Sequence, residues 1–299
     1  MSGSYGREVC IIGAGRVGTA MALLLSARGY HLAAVFDPVG EAAAQAARLV
    51  DARPAQSASD AVSAADIVLL TTPDHAILEA CEAAVSGDAT VSGKVFVHMS
   101  GALGLAVLAP AADAGAATVA VHPLQTFPDT EGAVRALPGS SFGVTCVPEM
   151  DEWSSGFVAD LDGKALTVRE GDKPLYHAGA VVASNLLVMI EYAACEIFGM
   201  LGLERGEALA SLMPLVHATV NNIGRLGPEE ALTGPLARGD VETLEVNLEA
   251  LSADPELERL YRAVSLWGLR LVERRGEPDA GTIEKMRELL GKELTPEDR

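Results

Sequence analysis

The sequence predicts an α/β fold: an N-terminal, doubly wound domain with a mostly parallel sheet, followed by an all-α C-terminal domain. Three observations predict it. Short apolar runs alternate with helical patterns over the first half of the chain, a glycine-rich turn joins the first run to the first helix, and strand patterns stop near residue 172. Since 299 residues are enough for two domains, we place them at 1–172 and 173–299.

The predicted strands and helices of the first domain alternate strictly. In order they are REVCII, RVGTAMALLLSARG, HLAAVFD, GEAAAQAARLV, DIVLLTTPD, HAILEACEAAV, KVFVHMS, LGLAVLAPAADAG and ATVAVHP. Near-continuous apolar runs such as IVLL predict strands buried on both faces, as in a parallel sheet. After the predicted loop HPLQTFPDTEGAVRALPGSS come a strand SFGVTCV, a helix EMDEWSSGFVADL and a strand KALTVRE. From Pro174 onward the pattern is helical.

Composition narrows the class of partner. The formal net charge of −19 disfavours nucleic acid and anionic membrane surfaces, because both carry the same sign of charge. The four cysteines form no C-x-x-C pair or zinc-like cluster, so we expect reduced thiols and no metal site. The N-terminus lacks a basic start followed by a long apolar run, and polar residues interrupt the apolar stretch 178–190. We therefore expect a cytoplasmic protein without a membrane span.

A glycine motif follows the first predicted strand and opens the first predicted helix: Gly13-Ala14-Gly15-Arg16-Val17-Gly18. It matches G-x-G-x-x-G, the dinucleotide-binding turn of Rossmann domains, in which the glycines allow a tight turn, close approach of the pyrophosphate and close helix packing. Free N–H groups at the helix N-terminus bind the phosphates. We predict that these six residues bind NAD or NADP.

Asp37 ends the second predicted strand, 19 residues after Gly18. An acid at this place accepts hydrogen bonds from the adenosine ribose and repels a 2′-phosphate. No Arg or Lys follows before Arg48, so NAD is favoured, although Arg16 could reach a phosphate. If Asp37 is only a turn residue before Pro38, the choice stays open.

Two further strand ends are assigned to the cofactor site, because ligands bind at the carboxyl ends of strands in open α/β sheets. The backbone of Thr72 and Pro73 is expected to line the nicotinamide, while Asp74 could simply cap the next helix. Ser100, assigned to the cofactor site, could also hydrogen-bond a substrate carboxylate or carbonyl, or else only start a helix. His98 is interpreted as a hydrogen-bonded strand-end histidine.

His122 follows the strand ATVAV and is a candidate acid, because reduction of a carbonyl needs a proton at the oxygen. Its alternative role is to hold the proline-rich loop. A second candidate group opens the helical domain, where Lys173, His177, Ser184 and Glu191 recur at spacings of four, seven and seven on one helix face, with Asn185 about 100° away. This polar stripe predicts either a cleft wall or a buried polar network.

Arg238 lies in the segment Thr233 to Asp240, which interrupts the helical pattern. It could clamp a substrate carboxylate through two hydrogen bonds, or form a local ion pair. Asp240 is predicted to cap the helix that follows.

Six segments together resemble a known family: GAGRVGTA, TTPDHAI, HMSGALG, HPLQTF, YHAGAVVASNLL and LTGPLARGD. The chain resembles Rossmann-like oxidoreductases with a helical C-terminal domain of unknown function, in the 6-phosphogluconate-dehydrogenase-like and pyrroline-carboxylate-reductase-like group. This resemblance implies a cofactor between the domains and a dimer formed through the helical domain. Some relatives resemble non-standard ketopantoate reductases that use NADPH, and Asp37 departs from their cofactor pattern. The dipeptide His122-Pro123 is similar to one in prephenate-type dehydrogenases.

The sequence therefore predicts a nicotinamide-dependent oxidoreductase that transfers hydride to or from a small oxo or hydroxy acid, with ketopantoate as one candidate. Arg238 would hold the carboxylate, and His122 or His177 would serve the oxygen. Two alternatives stay open: a dinucleotide-binding regulatory protein without turnover, and an imine reductase of the pyrroline-carboxylate type.

Overall fold

A single eight-stranded sheet organises the first part of the chain in the computed structural model, which describes residues 7–87 and 90–292. The outermost residues of both predicted domains, 1–6 and 293–299, lie outside the described residues. The strand order is β3-β2-β1-β4-β5-β6-β7-β8, and only the β6–β7 pair is antiparallel. The strands are β1 Glu8–Ile12, β2 His31–Phe36, β3 Arg53–Pro54, β4 Ile67–Leu70, β5 Val95–His98, β6 Ala117–Pro123, β7 Ser141–Cys146 and β8 Lys164–Thr167. The predicted fold class is confirmed.

Helices cover both faces of this sheet. They are α1 Arg16–Ala27, α2 Gly40–Leu49, α3 Ala58–Ser63, α4 Ile77–Val85, α5 Ala109–Asp113, α6 Thr130–Ala136, α7 Asp151–Asp160 and α8 Lys173–Ala183. Alternate residues of β1 belong to two separate apolar cores: Val9 and Ile11 pack in the core with α1, and Cys10 and Ile12 pack in the core with α3 and α4. The same alternation holds for β4 and explains why that strand, IVLL, is apolar throughout.

The sequence analysis did not predict three short elements: β3, α3 and α6. The segment around α6 was predicted as a loop. Both helices are only six or seven residues long, too short for an apolar period to show. Capping side chains define them instead, since Ser57 accepts from the N–H of Asp60 at 3.1 Å and Asp129 accepts from that of Gly132 at 2.6 Å.

The compact units of the structure divide after residue 185, which is 13 residues later than the predicted boundary at 172 (185 − 172). The reason is that α8 is tied to the first unit by the side chains of Lys173 and Tyr176. The backbone then breaks at Ser184, with φ −121° and ψ −67°, before the next helix begins.

Within its described residues, the second unit is helical, as predicted. Its helices are α9 Asn185–Met200, α10 Arg205–Leu226, α11 Pro228–Ala231, α12 Gly234–Arg238, α13 Val241–Leu251, α14 Pro255–Arg275 and α15 Ala280–Leu290. Leucines of α12 to α15 supply most of one apolar core, and a smaller core forms around Cys195, Ala208 and Leu212. Asp240 caps α13 as expected, accepting from the N–H of Thr243 at 3.0 Å.

By length and composition alone, the segment Glu170–Met200 could cross a membrane; its mean hydropathy is 1.6. Core helices of soluble proteins pass the same test, but only 11% of the most apolar window is buried here.

Candidate functional site

The glycine loop joins β1 to α1 as predicted, and its three glycines meet different surroundings. Gly13 has φ +105°, and a Cβ there would lie 2.8 Å from the backbone nitrogen of Thr72. A Cβ at Gly18 would lie 1.9 Å from the carbonyl oxygen of Gly13, so only glycine lets α1 approach the strand. Around Gly15 no atom lies within 4 Å of an added Cβ. Gly15 therefore borders the open space that the motif keeps for a pyrophosphate.

Asp37 follows β2 and accepts two backbone hydrogen bonds. Its Oδ2 accepts from the N–H of Ala14 and its Oδ1 from that of Val39, both at 2.8 Å. The carboxylate thus holds the glycine loop and also shapes the turn before Pro38, so the turn role weighed from the sequence is present. A carboxylate has about four acceptor positions, which leaves capacity for ribose hydroxyls.

The segment after β4 contacts the glycine loop directly. Thr71 donates from its hydroxyl to the carbonyl oxygen of Gly13 at 2.7 Å. The hydroxyl oxygen of Thr72 is buried without a hydrogen-bond partner in the described structure. Asp74 does not cap α4, which begins at Ile77; its Oδ2 instead accepts from the hydroxyl of Ser100 at 2.7 Å.

Ser100 closes a turn after β5. Its Oγ accepts from the N–H groups of Ala102 and Leu103 at 3.2 and 3.1 Å while it donates to Asp74. His98 is the hydrogen-bonded strand-end histidine that the sequence suggested: Nδ1 accepts from the N–H of Ser100, and Nε2 lies 3.1 Å from the carbonyl oxygen of Gly104. Burial, followed by the charge of Lys173, lowers the pKa of His98 to about 4.

Lys173 begins α8 and is only 1% exposed. Its Nζ donates to the carbonyl oxygen of Ser100 at 3.0 Å. Burial lowers the pKa of Lys173 to about 8, against the opposing charges of Asp74 and Glu170. Lys173 lines neither of the cavities described below, so it supports the Ser100 turn from behind.

His122 lies between two side chains of α8. Its Nδ1 is 2.9 Å from the hydroxyl oxygen of Tyr176, and its ring centroid is 5.9 Å from that of His177. Burial lowers the pKa of His122 to about 4, with smaller contributions from Lys173 and His177. The Nδ1 atom of His177 is buried without a partner in the described structure. These imidazoles are therefore poised to hydrogen-bond a ligand.

Tyr176 was missed by the sequence prediction. Its position three residues after Lys173 places both side chains on one helix face, which is the signal that could have found it. An aromatic residue in an apolar helix is ordinarily a core residue, so only the contact with His122 gives it a functional meaning.

Two cavities meet at His122 and His177, at the carboxyl ends of β4, β5 and β6. The smaller, about 250 Å³, is lined by Val17, Thr71, Thr72, Asp74, Met99, Ser100, Gly101, His122, Pro123, Gln125, Phe127 and His177. The larger, about 550 Å³, is lined by His122, Leu124, Gln125, Thr126, Phe127, Leu166, Tyr176, His177, Gly179, Ala180, Val181, Ala183, Ser184 and Asn185. Neither lining includes an Arg or a Lys.

Several predicted site residues lie together here and others do not. His122, His177, Ser184 and Asn185 line the larger cavity, while Val17, Thr72 and Ser100 line the smaller. Arg16 lies with Nη1 3.5 Å from the carbonyl oxygen of Phe127. Arg238 belongs to α12 in the second unit, where its Nη2 is 3.6 Å from Oδ2 of Asp240, so the local ion pair is present and the carboxylate clamp stays a prediction. Glu191 lies on α9, beyond the break at Ser184.

The smaller cavity and the glycine loop fit a dinucleotide. The open space at Gly15 lies beside the N-terminus of α1, where Rossmann domains bind a pyrophosphate, and the hydroxyl of Thr72 at the end of β4 has no partner among the described residues. Within residues 7–87 and 90–292, no cluster of three or more His, Cys, Asp or Glu is arranged to hold a metal.

Comparison with protein families identifies two domains. Residues 5–123 match the Rossmann-like domain, and residues 140–267 match a domain of unknown function, DUF2520. Among curated protein sequences, no significant match was found.

Solved structures with the same fold cover most of the chain. A protein of Thermotoga maritima matches with a TM-score of 0.71 at 22% identity, over 89% of this chain and 99% of its own. A reductive aminase from Aspergillus terreus, in complex with NADPH and ethyl-5-oxohexanoate, matches with a TM-score of 0.67 at 20% identity, over 93% and 98%. An imine reductase from Myxococcus stipitatus, in complex with NADP+, matches with a TM-score of 0.62 at 17% identity, over 93% and 99%. At these identities the likeness is one of fold.

Proposed function

We propose that this protein is a nicotinamide-dependent oxidoreductase that transfers hydride to or from a small oxo or hydroxy compound. Its chain combines a Rossmann-like domain with DUF2520. One observation carries the proposal: the cavity beside the glycine loop shares His122 and His177 with a larger, mostly apolar cavity. A cofactor and a substrate bound in the two cavities would meet at these imidazoles. Ligand sites of this kind, apolar with a few convergent polar groups, are typical of enzymes.

The cofactor, once bound, supplies or accepts the hydride. The residues of this chain then have separate tasks. The glycine loop binds the phosphates, Thr72 and Ser100 border the nicotinamide, and Gln125, Ser184 and Asn185 orient the substrate through neutral hydrogen bonds. His122 and His177 serve the substrate oxygen, which needs a proton when a carbonyl is reduced.

For the cofactor we propose NAD in preference to NADP. Asp37 follows β2, the position at which an acid accepts from ribose hydroxyls and repels a 2′-phosphate in Rossmann domains, and residues 38–42 bring no positive charge to offset it. The structural neighbours with bound cofactor were solved with NADPH or NADP+. Measuring whether this protein binds NADH or NADPH more tightly therefore tests the role that we propose for Asp37.

For the substrate we propose a small oxo or hydroxy acid, with ketopantoate as one member of that class. A second candidate is imine reduction, and it is favoured by a specific observation: neutral polar groups and apolar side chains line the larger cavity, with no Arg or Lys to bind a carboxylate. An iminium already carries the charge that a carbonyl oxygen develops, so it needs no strong acid. Turnover of any substrate excludes a purely regulatory role.

We further propose that the protein forms a homodimer through the apolar surface of the second unit. We also propose that it acts on a small molecule in the cytoplasm. The exposed apolar side chains of α9 support the assembly, because a patch of this kind is rarely left in contact with water.

The proposal is tested by cofactor titration followed by turnover. We expect NADH to bind more tightly than NADPH in a fluorescence titration, and NADH oxidation in the presence of a 2-oxo acid such as ketopantoate or, for the second candidate, a cyclic imine. Asp37→Asn is the matched variant and should reduce the difference in affinity between NADH and NADPH. Tighter binding of NADPH by tenfold or more would overturn the NAD assignment, and a lack of binding of either would overturn the function.

A further inference from the structure

Tyr176 contacts two adjacent strands at the edge of the larger cavity. Its hydroxyl oxygen lies 2.9 Å from Nδ1 of His122, and its ring lies against Gly143. His122 and Gly143 are paired across β6 and β7, so the two contacts come from adjacent strands. A Cβ at Gly143 would lie 2.5 Å from the Tyr176 oxygen, so glycine is what admits the phenol here. The position of the hydroxyl is therefore fixed by the sheet.

These contacts determine where the protons lie. The phenol of Tyr176 carries one hydrogen, and that hydrogen needs an acceptor. Among the described residues, Nδ1 of His122 is the acceptor within hydrogen-bond distance. A half-buried hydroxyl left without an acceptor would be destabilising. The phenol therefore donates to Nδ1, and that nitrogen carries no proton.

The other ring nitrogen of His122 faces open space. Nε2 makes no hydrogen bond within the part of the chain that the structure describes, and His122 lines both cavities. Gly101 lies beside it, and a Cβ at that position would approach Nε2 to 2.8 Å. Glycine at 101 thus keeps the nitrogen uncovered.

We infer that Tyr176 is a positioning residue that fixes His122 in the tautomer with its proton on Nε2, so that a neutral imidazole presents an N–H donor to a bound carbonyl. The chemical role of this tautomer rests on the proposed function, whereas the tautomer itself is inferred from geometry alone. The low pKa of His122, about 4, agrees with a ring that stays neutral in the ligand-free protein.

In carbonyl reduction the protons and electrons balance as follows. Hydride bonds to the carbonyl carbon, the electron pair of the carbon–oxygen π bond moves to oxygen, and that oxygen takes the proton from Nε2. Nδ1 takes the phenol proton of Tyr176, so the imidazole remains neutral in the opposite tautomer. Burial raises the pKa of Tyr176, so the phenolate is disfavoured and regains its proton from water.

The test is the tautomer of His122 in the ligand-free protein, measured by ¹⁵N NMR with labelled histidine and assigned with His122→Gln. We expect a pyridine-like Nδ1 and a pyrrole-like Nε2 in the unaltered protein. Tyr176→Phe, which removes one oxygen atom, should produce a mixture of the two tautomers. His98 is an internal control, because Ser100 and Gly104 hold its ring independently of Tyr176. A protonated Nδ1 in the unaltered protein, or a tautomer unchanged in Tyr176→Phe, would overturn the inference.

Turnover gives a second and separable measurement. With a substrate that the unaltered enzyme reduces, Tyr176→Phe should lower kcat about tenfold or more and change KM little, since the phenol acts on the proton transfer and not on binding. A normal kcat in Tyr176→Phe would overturn the inference while leaving the oxidoreductase proposal intact. Conversely, the expected tautomer in a protein that turns over no substrate would support the inference and count against the proposed function.

Discussion

At the scale of single residues, Gly13, Gly15 and Gly18 shape the phosphate loop for three different reasons. Gly13 needs a positive φ, Gly18 allows α1 to pack on the loop carbonyl, and Gly15 borders empty space. The first two positions concern folding, because a side chain there meets backbone atoms. Gly15 concerns the ligand, because a side chain there meets nothing in the protein.

Gly15→Ala should therefore weaken dinucleotide binding strongly and leave the protein folded. The backbone at Gly15, with φ −75° and ψ −166°, is one that alanine adopts without strain, so we expect the free energy of unfolding to change by less than about 1 kcal/mol. Calorimetry with NADH should show at least a tenfold loss of affinity, because the added methyl group occupies pyrophosphate space.

Gly18→Ala is the matched control. Its Cβ would lie 1.9 Å from the carbonyl oxygen of Gly13, so we expect a loss of about 1 to 3 kcal/mol in unfolding free energy. Unaltered NADH affinity in Gly15→Ala would show that the loop is not the phosphate site.

At the scale of elements, α8 brings the polar side chains to the cavities. His177 lines both, and Ser184, at the break that ends the helix, lines the larger one. Lys173 and Tyr176 occupy the same helix but act on the Ser100 turn and on His122. The sequence pattern indicated a polar stripe; the structure divides it into groups that face the cavity and groups that support the loop.

His177→Ala and Ser184→Ala should each lower turnover and leave the affinity for NADH nearly unchanged, because both side chains line the larger cavity, which we propose for substrate. Steady-state kinetics and cofactor titration on the same preparations check this. Val182→Ala, a change at an exposed residue of α8 outside both linings, should alter neither. Full turnover in both cavity variants would instead favour a structural polar network.

At the scale of the whole molecule, the second unit leaves a run of apolar side chains exposed on α9. Leu187, Val188, Met189 and Ile190 are consecutive residues of α9 and are all exposed, Val188 by 69%. Exposed apolar runs of this length mark contacts with another protein or with a membrane. The net charge of −19 disfavours an anionic membrane, and a second copy of this chain is the partner that we propose.

Val188→Glu should shift the protein from dimer to monomer in sedimentation velocity, since a buried carboxylate at a symmetric contact is repeated in both copies. Val147→Glu, at a half-exposed valine of the first unit, is the control and should leave the sedimentation coefficient unchanged. A monomeric unaltered protein, or its co-sedimentation with phosphatidylcholine vesicles, would contradict the dimer.

The sequence by itself determined the features that depend on near neighbours along the chain. Short apolar runs that alternate with helical patterns predicted β1, β2 and β4 to β8 and the longer helices, and the glycine spacing located the loop before α1, because both signals reside within a few consecutive residues. It also selected His122, His177 and Ser184 as polar residues in unusual places.

Only the tertiary structure decided which of these side chains meet. The contact between Tyr176 and His122 joins residues 54 apart, and that between Lys173 and Ser100 joins residues 73 apart. Such contacts depend on the order of strands in the sheet and on the docking of α8, neither of which a local pattern contains. The position of the boundary between the two units has the same explanation. From the sequence alone, α8 is interpreted as the start of a helical domain, yet the buried amino group of Lys173 and the phenol of Tyr176 join it to the first unit.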